Sequence, residues 1–190
     1  MIPCLYASTE VKFDHNGIGK LADAQSCIVT EKRNGSFELE MVYPADGIHA
    51  EQLEEGNIIL AKPSDTGRSQ PFRIYKIATP IDGKLTVKAR HISYQLNFIT
   101  VSPFATTGCT GALAGLESHA ASECPFGVWT DISSSASFRL SVPSSFRNCL
   151  GGIDGSVLDT FGGEYEWDRY TVKLHHHRGA DHGVHIVYGK

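Results

Sequence analysis

Residues 70–98 read QPFRIYKIATPIDGKLTVKARHISYQLNF, and this stretch decides the fold. Apolar and polar side chains alternate on both sides of Asp82-Gly83, the period-two pattern of strands with one buried face. The apolar positions are Phe72, Ile74, Leu85, Val87 and Ala89. Glycine tolerates the positive φ of a tight reversal, and aspartate bonds to the neighbouring backbone. The pattern predicts an antiparallel hairpin that turns at Asp82 and Gly83.

The period changes after Ala89, where the strand is expected to pass into a short helix. His91, Tyr94 and either Gln95 or Phe98 then share one helical face. Polar side chains at such a junction usually pack and form hydrogen bonds. We therefore interpret His91 and Tyr94 as a structural junction, and a catalytic His91 is the alternative.

A second hairpin is predicted around Asn34-Gly35, between strands at residues 26–33 and 36–43. Asn-Gly is among the strongest short hairpin signals, because both residues adopt positive φ readily. Four side chains of the second strand are expected on its buried face, namely Phe37, Leu39, Met41 and Tyr43. With a further strand at 57–62, these hairpins predict a small barrel or a curled sheet.

The other segments predict short elements of both kinds. HAEQLEEG predicts about two helical turns before Gly56, and residues 111–122 predict a helix with a Leu and Ala face. SSSASFRLSV predicts a strand, and SVLDTF predicts a helix that Gly162-Gly163 ends. Alternation then predicts strands at residues 170–177 and 183–189.

Composition and charge restrict the class of protein. Hydrophobic residues make up 41% of the 190 residues, which is typical of a folded chain, and no apolar run is long enough to insert into a membrane. The beginning, MIPCLYASTEVKF, lacks the pattern of a signal peptide, so synthesis in a cytoplasm is expected. Five widely spaced cysteines favour reduced thiols over a disulfide framework.

Nucleic-acid binding is disfavoured, because the formal net charge is −4 and the basic residues are dispersed. A mildly negative lining is nevertheless compatible with a conduit through which DNA passes without sticking. The glycines in NGIGK and TGCTGALAG lack the spacing of phosphate-binding loops, so we predict no nucleotide and no other cofactor.

The run His175-His176-His177, with His182 and His185 nearby, is the densest chemical cluster. His175 and His177 would point to one side of a strand and bind a metal if His185 supplied a third ligand. No carboxylate stands at close strand spacing to orient these rings. We therefore expect the histidines to decorate a solvent face, and the metal site is the alternative.

The sequence contains no recognisable local motif of a hydrolase, such as GxSxG. Glu164 and Glu166 would lean to the same side of one strand, which favours solvated charges over a glycosidase pair. We predict no enzyme and no catalytic residue, with a cell-wall peptidase or glycan hydrolase as the alternative. A carbohydrate-binding module that uses Trp129, Trp167 and surface tyrosines is a third possibility, although both indoles are more simply core or interface anchors.

Six segments in sequence resemble the N-terminal region of the prophage endopeptidase tail (tail-associated lysin) family, a siphophage counterpart of contractile-tail baseplate hub proteins. The resemblance covers residues 13–190. Its elements are FDHNGIGKLADAQSCIVTEKRNGSFELEMVYP, LEEGNIILAKPSD, QPFRIYKI, VKARHISYQL, GGIDGSVLDTFGGEYEWDRYTVKL and RGADHGVHIVYGK.

The resemblance implies a hub-like, mainly β fold with short helices. It divides the chain into a β-barrel-like domain at 1–98, a mixed α/β segment at 99–150, and helix and strands at 151–190 that begin a second, truncated β-barrel. It implies a homotrimer at the tail tip of a virion, joined to the distal tail protein. Peptidoglycan cleavage in such families is associated with additional C-terminal domains, so no catalytic residue is transferred.

Overall fold

A computed structural model describes residues 2–78 and 82–179 of the chain. Its largest element is a curled, half-barrel sheet of seven antiparallel strands in the order β2-β1-β5-β6-β7-β4-β3. The strands are β1 (Cys4–Tyr6), β2 (Gly19–Lys20), β3 (Ser26–Glu31), β4 (Phe37–Pro44), β5 (Ile58–Ala61), β6 (Gln70–Ala78) and β7 (Lys84–His91). The mainly β fold with short helices is therefore confirmed.

The β6–β7 hairpin has the predicted facing. Phe72, Ile74, Val87 and Ala89 are buried, and the register shifts by one residue after Ile74. Gly83 has a φ of 73°, and the Lys84 amide donates to Asp82 Oδ1 over 3.3 Å. Residues 79–81 of the connection lie outside the described range, so a turn centred on Asp82 and Gly83 stays a prediction.

The β3–β4 hairpin buries Phe37, Leu39, Met41 and Tyr43 on one face, as predicted. Its connection is longer than Asn34-Gly35 alone. Residues 32–36 form the loop, closed by bonds from the Lys32 amide to Ser36 O and from the Gly35 amide to Lys32 O. The positive φ of 54° belongs to Asn34, whose side chain has a separate use described below.

The helices are shorter than predicted. A 3₁₀ helix (Ile92–Phe98) follows β7, and a single 3₁₀ turn (Ala50–Gln52) replaces the two turns expected in HAEQLEEG. Helix α1 (Cys109–Ser118) starts and ends earlier than predicted, and α2 (Phe146–Gly151) was not predicted. Helix α3 (Val157–Phe161) was predicted and is capped by the Ser156 hydroxyl.

Among the described residues, seven further strands form three small sheets. They are β8 (Thr100–Val101), β9 (Phe104–Thr107), β10 (Gly127–Thr130), β11 (Ser137–Leu140), β12 (Ser144–Ser145), β13 (Glu164–Asp168) and β14 (Thr171–His175). Strand β9 pairs with β11 and β8 pairs with β12, both antiparallel. The third sheet has the order β10-β14-β13. In it, β10 runs parallel to β14 and so joins residues 127–130 to residues 171–174, which are far apart in the chain.

One continuous core links these parts. Its buried members include Phe72 of the half-barrel, Leu113 of α1, Phe146 of α2 and Leu174 of β14. The apolar core thus crosses the boundaries of the three predicted segments, and the division into segments stays a prediction. The strand predicted at 183–189 lies outside the described residues. None of the helices in the described part has the length and apolar composition needed to cross a membrane.

Candidate functional site

His91 ends β7 and lies wholly inside the protein, with an exposed fraction of 0%. Its ring stacks on Phe37, with centroids 4.7 Å apart and planes at 20°, and meets Phe72 edge-on at 5.7 Å. These two rings come from β4 and β6, the strands that flank β7. The imidazole therefore fills the space where the hairpins meet.

The hydrogen bonds of His91 define a neutral ring. Nδ1 accepts from the Ser93 amide at 3.2 Å, which caps the 3₁₀ helix and leaves the proton on Nε2. Nε2 then donates to Gln70 Oε1 at 3.3 Å. Burial, and next the charge of Arg147, lower the pKa of His91 to about 3, against a smaller opposing effect of Asp168. A neutral, enclosed ring is not placed to reach a substrate.

Gln70 carries this contact to the β13–β14 turn. Its Oε1 also accepts from the Arg169 amide at 2.7 Å, and its Nε2 donates to Asp168 Oδ1 at 3.4 Å. The Arg169 guanidinium lies 5.5 Å from the centre of the Phe13 ring. The turn thus inserts between the half-barrel and the N-terminal segment, a joint that sequence reasoning missed. The sequence feature that could have indicated this turn is the polar run Asp168-Arg169-Tyr170 between two segments of alternating polarity.

Tyr94 lies in the middle of a ladder of alternating aromatic and guanidinium groups. Arg90 sits 4.2 Å from the Tyr75 ring and 5.3 Å from the Tyr94 ring, and Arg147 sits 5.1 Å from Tyr94 and 4.3 Å from Trp167. Such contacts contribute roughly 0.5–2 kcal/mol each, most where water is excluded. The ladder joins the half-barrel to α2 and β13.

Arg147 is the central group of this ladder. Its two terminal nitrogens donate to Ser93 Oγ at 3.1 Å and to Gly35 O at 3.2 Å, and burial lowers its pKa. It thereby contacts the second 3₁₀ helix, the β3–β4 loop and Trp167 at once. The sequence did not single out this arginine, since it lies in a serine-rich stretch without clear periodicity.

Asn34 couples its hairpin to β13. The side-chain amide donates to Gly163 O at 3.0 Å, and its oxygen accepts from the Tyr165 amide at 2.8 Å. These bonds satisfy the strand edge in the way a neighbouring strand would. An Arg33–Glu164 ion pair of 3.0 Å stands beside them. The turn residue therefore has a tertiary role besides the local one.

The histidine cluster lies at the end of β14. His175 Nε2 is 2.7 Å from Glu166 Oε2, and its Nδ1 is 3.7 Å from Asp131 Oδ2. The sequence has no carboxylate at close strand spacing to these rings, but β13 and the residue after β10 bring Glu166 and Asp131 to His175 from other parts of the chain. His177 is largely exposed and lies 3.6 Å from Glu164.

The metal alternative receives no geometric support within residues 2–78 and 82–179. No group of three or more His, Cys, Asp or Glu side chains there is arranged to hold a metal ion. His182 and His185, the latter proposed as third ligand, lie outside the described residues. His175 is instead held by carboxylates, in a polar cluster that also includes Lys173.

The two tryptophans have different surroundings. Trp167 is 6% exposed and stacks on Tyr165, whereas Trp129 on β10 is 46% exposed. Across the sheet, Lys173 of β14 separates Trp129 from Glu166 of β13. Burial raises the pKa of Glu166, but hydrogen bonds from Lys173 and His175 outweigh that effect and lower it. Glu166 is therefore ionised at neutral pH.

The thiols do not have the character of catalytic nucleophiles. Burial raises the pKa of every cysteine, and the pKa of Cys27 reaches about 11. A reactive cysteine requires a lowered pKa, because the thiolate is the nucleophile. All five are free thiols; Cys4, Cys109 and Cys149 are buried, and Cys27 and Cys124 are half-buried.

No protein-family model and no curated protein matches the sequence. A solved structure does match: prophage tail protein gp18 from Listeria monocytogenes EGD-e superimposes with a TM-score of 0.66 at 11% identity. The match covers 92% of this chain and 50% of that protein, so the chain spans half of its length. At such low identity the likeness concerns the fold. This chain therefore has a fold found in about half of a prophage tail protein.

Proposed function

We propose that this chain is a structural component of a phage or prophage tail, placed at the tail tip as part of a baseplate hub. The observation that carries the proposal is the shared fold with a prophage tail protein over 92% of the chain. In this role the protein is a virion component made in the host cytoplasm. It joins the distal tail protein and other tail proteins.

The open half-barrel supports assembly into a ring. Its sheet ends at β2 and β3, which do not pair with each other. Strand β3 is six residues long and carries Ile28, whose exposed fraction is 63%. An exposed apolar residue on an edge strand favours pairing with another chain. A heterologous contact of this kind closes a ring, and we propose three copies.

The charges on the outer face of the half-barrel suit passage of DNA without specific binding. Glu38 pairs with Arg90 at 3.3 Å and Glu40 pairs with Lys88 at 3.2 Å, on neighbouring strands β4 and β7. Arg90 and Lys88 are thus each paired with a carboxylate. A surface that grips phosphates needs unmatched lysine and arginine, so specific nucleic-acid binding is not part of the proposal.

The oligomeric state tests the proposal. Native mass spectrometry and light scattering on the full-length protein are expected to detect a homotrimer. Ile28→Lys places a charge on the β3 edge and is expected to abolish the trimer. The matched control is Val142→Lys, at a residue 64% exposed outside the half-barrel, which is expected to leave it intact. A protein that is monomeric at high concentration and in assembled tails contradicts the proposal.

The absence of catalysis is part of the same proposal and has its own test. Purified cell wall embedded in a gel is exposed to the protein, and no clearing is expected. The enclosed ring of His91 and the raised pKa values of the thiols support this expectation. Clearing that depends on His91 or on any one cysteine would establish the peptidase or glycan hydrolase alternative.

A further inference from the structure

The β10-β14-β13 sheet has two different faces. Val172, Leu174 and Trp167 point into the core, and the intervening positions form the other face. Trp129, Lys173 and Glu166 stand opposite one another across the three strands. We call the outward set the Trp129 face, which consists of Trp129, Asp131, Lys173, His175, Glu166 and Asp168.

Trp129 is the apolar part of this face. Its indole is 46% exposed and lies 5.1 Å from the His175 ring, at an angle of 57°. A large ring left half in water beside polar groups is an amphipathic surface, suited to a ligand with one apolar side and several hydrogen-bonding groups. A pyranose ring has this character, because its C–H groups line one side and its hydroxyls project from the edge.

The polar groups beside Trp129 are held in place. Lys173 Nζ lies 3.0 Å from both Glu166 Oε1 and Asp168 Oδ2, and His175 Nε2 lies 2.7 Å from Glu166 Oε2. A carboxylate accepts about four hydrogen bonds, so Glu166 retains capacity after these two. Groups that are already ordered lose little entropy when a ligand binds. The side chain of Glu166 also remains 34% exposed.

The charge of the face selects among saccharides. Asp131, Glu166 and Asp168 carry three negative charges against two positive ones, the ammonium of Lys173 and the guanidinium of Arg68, which lies 3.5 Å from Asp168. Such a surface favours ligands that donate hydrogen bonds or carry an ammonium group, and it repels uronic acids and phosphate-linked polymers. Hydroxyl groups and the amine of an amino sugar meet this condition.

We propose that the Trp129 face binds a neutral or amino-sugar oligosaccharide. One pyranose ring stacks on the Trp129 indole, and its hydroxyl or amino groups donate to Glu166 and Asp131. This binding is a further activity beside the structural role in the tail. It is measurable on the protein in any oligomeric state, so its failure and that of ring assembly are distinguishable.

Tryptophan fluorescence reports directly on the proposed contact. Trp167 is 6% exposed, so acrylamide quenching follows mainly Trp129. The probes are glucosamine tetramer, N-acetylglucosamine tetramer, maltotetraose and, as the anionic comparison, tetragalacturonate. At least one of the first three is expected to protect Trp129 saturably, and tetragalacturonate is expected to give no protection.

Variants then locate the site by calorimetric titration. Trp129→Ala is expected to weaken binding by about tenfold or more, a factor that corresponds to 1.4 kcal/mol. Glu166→Gln is expected to weaken glucosamine tetramer more than maltotetraose, since a charge is lost. Phe98→Ala removes an aromatic side chain 88% exposed at the end of the second 3₁₀ helix, away from this sheet, and is expected to bind as the wild type does.

Three results overturn the proposal. The first is that none of the neutral and amino-sugar tetramers binds. The second is that Trp129→Ala, with an unchanged circular dichroism spectrum and melting temperature, binds as tightly as the wild type. The third is a preference for tetragalacturonate, because it contradicts the charge argument.

Discussion

Lowering the pH from 7 to 5 is expected to reduce the contribution of His91 to the free energy of unfolding. The pKa of this ring falls from 6.5 to about 3 on folding, because burial disfavours its charged form. Between those values the unfolded chain binds a proton that the folded protein excludes. The contribution of His91 to the free energy of unfolding is therefore fully present above pH 6.5 and decreases as the pH falls below that value.

The loss has a calculable size. One proton taken up only by the unfolded chain costs about 1.4 kcal/mol per pH unit, so the interval from pH 6.5 to pH 5 costs roughly 2 kcal/mol. The pKa values of Glu10, Glu164, Glu166 and Asp168 are lowered by folding, from ordinary values of 4.5 and 3.8. Their stabilisation is lost only as the pH falls below those ordinary values. The interval above pH 5 thus separates the effect of His91 from the effects of these carboxylates, and the comparison with a variant that lacks the ring assigns it to His91.

Urea unfolding of the wild type and of His91→Asn, at pH values from 7.5 to 5.0, measures the effect. Asparagine retains an acceptor for the Ser93 amide but has no titrating ring. The variant is expected to be less stable at pH 7, and its difference from the wild type is expected to shrink by roughly 2 kcal/mol at pH 5. A difference independent of pH, or an NMR titration of wild-type His91 near pH 6.5, refutes the reasoning.

Arg147 and Asn34 connect distant parts of the chain, and Cys27 has a raised pKa, so each of these residues can be tested by substitution or labelling. Arg147→Lys keeps the charge but loses planar stacking on Trp167, and is expected to lower the free energy of urea unfolding by about 1–3 kcal/mol. Asn34→Gly keeps a residue that tolerates the positive φ but removes both side-chain hydrogen bonds, and is expected to lower the free energy of unfolding by about 1–3 kcal/mol. Asn34→Ala removes the same bonds and also strains the backbone, so it is expected to cost about 1 kcal/mol more. Equal losses in the two variants would contradict the argument from φ. Mass spectrometry after timed alkylation at pH 8 is expected to find Cys27 labelled roughly a hundredfold more slowly in the folded protein than in urea, since its thiolate is scarcer.

The local sequence was sufficient for the half-barrel hairpins. Alternation in residues 37–43 and 84–91 predicts which side chains are buried, because successive side chains of a strand point to opposite faces. Helix caps such as Ser156 are local too, and α3 was predicted. Helix α2 was not, because six residues within a serine-rich stretch are too few to establish a helical period.

The joints between these elements depend on contacts between residues far apart in the chain. Asn34 is a turn residue by its local pattern, and its bonds to β13 join positions separated by 129 and 131 residues. His175 shows the same limit, since the sequence places no carboxylate beside it and the fold supplies Glu166 and Asp131. Periodicity reports which face of an element is buried but carries no information about what that face meets.

The sequence by itself therefore determined the strands of residues 70–98 and the buried side of the sheet, because these follow from side-chain alternation and backbone preference. Only the tertiary structure decided that His91 is a neutral ring between Phe37 and Phe72, and that Trp129 stands in a polar face. Both depend on which strands become neighbours. Strand pairing is a property of the whole chain.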